Sequence, residues 1–69
     1  MLRRIASNRI VIDNRQLTLH VIEIEDGFVK DFYPLTQELP FTEWFNGTIT
    51  LTKDKNGKTI AVKDGMILK

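Results

Sequence analysis

The chain has 69 residues and no cysteine, so it is read as one β domain over residues 1–69 with neither a disulfide nor a thiolate zinc site to staple it. Ten Lys and Arg against nine Asp and Glu give a formal net charge of +1, far from the basic excess of a dedicated nucleic-acid binder. No apolar run reaches the length of a membrane span or a signal-peptide core, so a mature, soluble, cytoplasmic protein is expected.

A chain this short buries only about 60% of its open-chain surface, and a core of this size rarely supplies more than about 3–5 kcal/mol of net stability. Association with a second copy is the obvious further source, so a homodimer is expected.

Residues 2–12, LRRIASNRIVI, read as one strand with a bend near Ser7-Asn8, ended by the polar run Asp13-Asn14-Arg15. Arg3, Arg4, Arg9 and Arg15 concentrate here, where charge on an edge strand discourages unwanted pairing. The next strand alternates Leu17, Leu19 and Val21 against Gln16, Thr18 and His20. Its phase then slips, because Ile22 and Ile24 alternate against Glu23 and Glu25. Side chains in a strand alternate strictly between faces, so the change of parity at Val21-Ile22 implies either a β-bulge or a segment buried on both sides, and the bulge is expected.

Asp26-Gly27 is a strong hairpin signal. Phe28–Tyr33 follows, with Phe28 and Phe32 on one face and Val29 and Tyr33 on the other, before Pro34 ends the strand.

Residues 35–46, LTQELPFTEWFN, carry no strand pattern. One helical turn capped by Thr36 is expected before Pro40, followed by an aromatic loop with Phe41, Trp44 and Phe45. These rings either plug the open end of the sheet, meet a second copy, or form an exposed docking patch. Together with Tyr33 they are the candidate interaction residues.

Asn46-Gly47-Thr48 matches a glycosylation sequon but is expected to be a turn. Thr48–Thr52 and Thr59–Lys63 alternate cleanly, with Ile49, Leu51, Ile60 and Val62 expected inward. Turns at Asn56-Gly57 and Asp64-Gly65 separate them from each other and from a short last strand, Met66–Lys69. The expected core is Ile5, Ile10, Ile12, Leu19, Ile22, Ile24, Phe28, Phe32, Ile49, Leu51, Ile60, Val62 and Ile67. The fold class is all-β: a small antiparallel β-sandwich or partly open barrel of about six strands.

Chemistry is sparse. The single histidine, His20, has no partners at catalytic or metal-ligand spacing, and every glycine is an isolated turn residue. Glu23 and Glu25 share a strand face, an arrangement more typical of solubility than of catalysis. No cofactor or metal is expected, and no enzymatic activity. The runner-up reading is a small nucleic-acid-binding barrel, with the four arginines and Lys30 as its groove and Tyr33 and Trp44 as stacking platforms.

Arg9-Ile-Val-Ile-Asp followed by Val21-Ile-Glu-Ile-Glu-Asp-Gly-Phe-Val resembles the opening of metal-dependent amidohydrolases. In that family this piece belongs to a small β-sandwich flanking a catalytic (β/α)8 barrel. The resemblance covers the first half of the chain. The family's His-x-His does not follow Asn46-Gly47-Thr48, and no barrel is present. The resemblance therefore implies the accessory sandwich standing alone, without the activity. The whole sequence also resembles small bacterial proteins of this length with no assigned function.

Overall fold

The computed structural model describes residues 2–69, and every regular element in them is a strand. These are β1 (Leu2–Ile12), β2 (Arg15–Glu25), β3 (Phe28–Pro34), β4 (Thr42–Lys53), β5 (Thr59–Lys63) and β6 (Met66–Leu68). They form one curled sheet in the order β3-β2-β1-β4-β5-β6, a half-barrel. Asp13-Asn14, Asp26-Gly27 and Asp64-Gly65 join neighbouring strands, and both residues of each pair have positive φ. That is the type I′ turn, whose twist matches the strands it connects.

The sheet is mixed rather than purely antiparallel, because β1 pairs with β4 in parallel. A parallel neighbour cannot be reached by a hairpin. Residues 35–41 therefore cross β2 and β1 to bring the chain from β3 to β4. The helical turn expected at Thr36 is absent, and the expected aromatic loop is largely strand: Trp44 and Phe45 lie in β4, and only Phe41 stays outside it. Asn46-Gly47-Thr48 is likewise inside β4, not a turn.

Ile5, Ile10, Ile22, Ile24, Ile49, Leu51 and Ala61 fill the concave face, with Ile12, Leu17, Val29, Phe45 and Leu68 packed at its margin. The β-bulge expected at Val21-Ile22 is absent: the β1–β2 register runs through it. Both side chains are fully buried, Ile22 on the core face and Val21 on the other, while the parity of β2 changes earlier. Leu17 and Ile22 both face the core, and Leu19 between them has φ of 50° and is exposed. β1 slips opposite it, with Ile5 inward before the kink and Ile10 after. The β1–β2 register runs through undisturbed, Ser7 opposite His20 and Arg9 opposite Thr18.

On the other side of β1 the register shifts by one residue. Asn46-Gly47 of β4 face Asn8 alone, and Gly47 takes φ of 101°. Ser7 is fully buried at this junction. Its hydroxyl donates to the Gly47 carbonyl at 2.7 Å and accepts from the Arg9 amide at 3.3 Å.

A further bulge in β3 leaves Lys30 between the pairs Glu23–Asp31 and Ile24–Val29. It turns Val29 onto the core face in place of Phe28, and Phe32 stays at the rim, exposed. In β5 and β6 the expected facing is reversed: Ala61 and Leu68 point inward, while Ile60, Val62 and Ile67 point out. The side chains that fit the tight concave end are the small one on β5 and the last apolar one on β6.

Candidate interaction surface

The register aligns Tyr33, Val21, Ala6 and Trp44 in one row across β3, β2, β1 and β4, on the face away from the core. Val21 and Ala6 are as fully buried as the core itself. That burial is consistent with residues 35–41 crossing over this face, where Leu35 and Leu39 are half-buried. Tyr33 and Trp44 stand at the two ends of the row, three strand spacings or roughly 14 Å apart along the sheet, too far to make one stacking platform.

The four candidate residues thus separate. Trp44 is 49% exposed, and its indole N–H donates to the Asn46 side-chain oxygen at 2.9 Å. Phe41 is 93% exposed, with a φ of 57° unusual for an aromatic residue. Phe45 points to the opposite face and packs on the core.

The neighbouring row holds Asp31, Glu23, Arg4 and Thr42. One carboxylate oxygen of Glu23 accepts from the Tyr33 hydroxyl at 2.7 Å and from Arg4 Nε at 3.1 Å. The Tyr33 bond, then the Arg4 bond, holds the Glu23 carboxyl below the usual carboxylate range. The same bond to Glu23 raises the Tyr33 phenol.

The two shifts favour the ionised carboxylate and the neutral phenol, so the cluster contributes stability between the two titrations. A depressed carboxylate loses its contribution as pH falls below the ordinary Glu value of about 4.3 and through the folded value. A raised phenol loses its own as pH climbs past about 10. In Tyr33→Phe the Glu23 carboxyl should titrate at higher pH by carbon-detected NMR, and the acid limb of a pH–melting curve should flatten. A Glu23 titration unchanged by Tyr33→Phe would show that the hydroxyl bond does not set it.

Arg3 lies on the core-side parity of β1. It makes a two-point contact with Glu43, at 2.9 Å and 2.8 Å, and also donates to the Lys69 carbonyl. Arg3 and Arg4 therefore point to opposite faces, each matched by a carboxylate. Arg9 sits in register with Thr18 and Thr48, and Arg15 with Ile12. The four arginines do not line one face with Tyr33 or Trp44.

His20 places Nδ1 3.0 Å from the Thr18 carbonyl. Among the described residues no three His, Cys, Asp or Glu side chains converge on a metal position. A cleft of about 530 Å³ is lined by Val11, Ile12, Asp13, Thr50, Thr52 and Lys53 among others. None of the groups with a displaced pKa lines it.

The two edges of the sheet differ. β3 is guarded by the Lys30 bulge, by Pro34, and by the Asp31 side chain, which accepts the Phe32 amide at 2.8 Å. β6 carries none of these devices. On its convex side Ile67 aligns with Val62 and Thr50, and Ile60 aligns with Thr52. Ile67 is 49% exposed, and Met66 beside it is more so.

This edge is absent from the sequence-based candidates. Asp64-Gly65 shows that Val62 and Ile67 share a face, but local alternation cannot say which face is the inner one. No helix among the described residues is long and apolar enough to cross a membrane. No protein-family model, curated protein or solved structure matches the chain.

Proposed function

We propose that this chain is a non-enzymatic β module that works through protein association, as a cytoplasmic homodimer. The supporting observation is the outward apolar group Ile60, Val62 and Ile67 beside a short sheet edge that carries no bulge, proline or side-chain cap of the kind found on β3. An antiparallel sheet with one solvated face ordinarily alternates apolar-in and polar-out. Here β5 and β6 put a small residue inward and β-branched residues outward. The small core gives a second reason, since burial against a second copy adds to a reserve of only about 3–5 kcal/mol. The resemblance to the accessory sandwich of metal-dependent amidohydrolases fits the same reading, that of a module separated from the barrel that carries the chemistry.

Light scattering and sedimentation at micromolar concentration test it. The expected result is twice the chain mass, with a melting temperature that rises with protein concentration. A strictly monomeric protein whose melting is independent of concentration would overturn the reading. Titration with single-stranded oligonucleotides at two salt concentrations tests the nucleic-acid alternative. Binding that weakens steeply with salt would favour that alternative, despite the pairing of Arg3 with Glu43 and of Arg4 with Glu23.

A further inference from the structure

We infer that two copies pair β6 to β6, antiparallel, about a twofold axis at Ile67; this specifies the contact for the association proposed above and rests on it. Turn geometry supplies the first argument. The type I′ turn at Asp64-Gly65 makes Lys63 and Met66 the hydrogen-bonded pair closing the hairpin. Hydrogen-bonded and non-bonded pairs alternate along an antiparallel ladder. The next pair, Val62 and Ile67, is therefore non-bonded, and the Ile67 N–H and C=O point away from β5, to the free edge. A twofold axis there lets the two Ile67 residues exchange both bonds. This forms one narrow pair without disturbing a bond either copy already makes.

Side chains give the second argument. Ile67 projects from the convex face in line with Val62 and flanked by Ile60. Pairing through Ile67 sets two such groups side by side and makes one continuous apolar ribbon from two half-exposed ones. Cross-strand β-branched pairs of this kind add to sheet stability. Charge gives the third. Asp64 precedes β6 and Lys69 follows it, both exposed. Antiparallel pairing brings each Asp64 towards the other copy's Lys69, whereas parallel pairing sets like charges together.

The contrast between edges fixes the assembly. Since β3 is guarded and β6 is not, a copy offers one edge for pairing. The assembly then closes as a dimer instead of growing into a filament.

Two substitutions in the cysteine-free background separate this contact from association in general. Ile67→Pro removes the outward N–H and no bond of the β5–β6 ladder, and proline is tolerated at edge positions. It should raise the dimer dissociation constant at least about tenfold while the β circular-dichroism spectrum persists. Ile67→Cys places two thiols on a pair whose backbones lie about 5.5 Å apart, within disulfide reach. Under mild oxidation it should form covalent dimer at least about tenfold faster than Phe32→Cys on the guarded edge.

A monomeric wild-type chain would overturn both the association reading and this contact. A dimeric wild type whose Ile67→Cys variant cross-links no faster than Phe32→Cys would overturn the β6 contact and leave association standing. The same holds if folded Ile67→Pro remains fully dimeric. If Ile67→Pro fails to fold, the cross-linking rate alone decides.

Discussion

Ile24→Ala should destabilise the domain by about 2–5 kcal/mol, as large-to-small changes in well-packed cores do. Ile24 is 1% exposed and belongs to the same concave cluster as Ile5, Ile22 and Ile49. It lies between Arg3 on β1 and Val29 on β3, next to the Lys30 bulge. Alanine would remove three carbons from this buried cluster, beside the bulge that turns Val29 onto the core face. In a domain of this size each kcal/mol moves the melting temperature by roughly 4–8 °C. Against a reserve of about 3–5 kcal/mol the variant should be partly or wholly unfolded at 25 °C. Urea titration followed by circular dichroism measures it. Ile60→Ala is the matched control, since Ile60 lies on the convex face of β5. Compared at a protein concentration low enough to keep the chain monomeric, it should cost well under half as much. Equal losses at the two positions would mean that the concave face is not the core.

The contrast between Ile24 and Ile60 shows where the sequence was legible. Alternation with a strong turn reads well on the β2 side of Asp26-Gly27, where Ile22, Ile24 and the turn all lie as local reasoning puts them. It fails on the β3 side, where the Lys30 bulge puts Val29 inward in place of Phe28. It also fails where the deciding term is not local. Thr59–Lys63 alternates perfectly, yet Ala61 is inward because the curled end of the sheet has room only for a small side chain beside Leu51 and Leu68. That constraint comes from three strands at once.

The aromatic segment fails for a related reason. Trp44 and Phe45 have helix-like spacing with Phe41, but β1 offers a free edge from Arg4 to Ile12, and pairing there satisfies more backbone groups than one isolated helical turn can. A parallel partner leaves no turn signal in the sequence, so its pairing cannot be read from neighbours in the chain. The candidate surface suffered most. Of Tyr33, Phe41, Trp44 and Phe45, Phe45 packs at the core margin, and Tyr33 and Trp44 stand three strands apart. The unguarded edge at β6 became visible only once Asp31, Lys30 and Pro34 were seen to protect the other one.

Ser7→Ala should cost about 1–3 kcal/mol, a large effect for the loss of one oxygen atom. The kink that curls this sheet runs along a line through Leu19 of β2, Ser7–Arg9 of β1 and Asn46-Gly47 of β4. Along that line the β1–β4 ladder is broken, and the backbone groups it would have paired need other partners. Ser7 provides two of them, donating to the Gly47 carbonyl and accepting from the Arg9 amide in a fully buried position. Alanine leaves both groups desolvated and unpaired, which is why the expected cost exceeds the net worth of an ordinary hydrogen bond.

Ser7→Thr keeps the hydroxyl and adds a methyl group, so its cost would come from packing alone. Gly47→Ala tests the other half of the junction. An added Cβ would meet nothing nearer than the Lys63 side chain at 3.7 Å, so its penalty would come from the φ of 101° and not from crowding. If the hydroxyl and the glycine hold one device, Ser7→Ala and Gly47→Ala should cost less together than the sum of their separate costs, because once the bulge relaxes neither loss is felt in full. Additive losses would mean that each residue stabilises its own strand and that the curl is set elsewhere, by Leu19 and the convex-face crossing. The same curl sets β5 and β6 with Ala61 in and Ile67 out. A variant that flattens the kink should therefore also weaken the self-association proposed above, measurable by sedimentation under conditions where the chain stays folded.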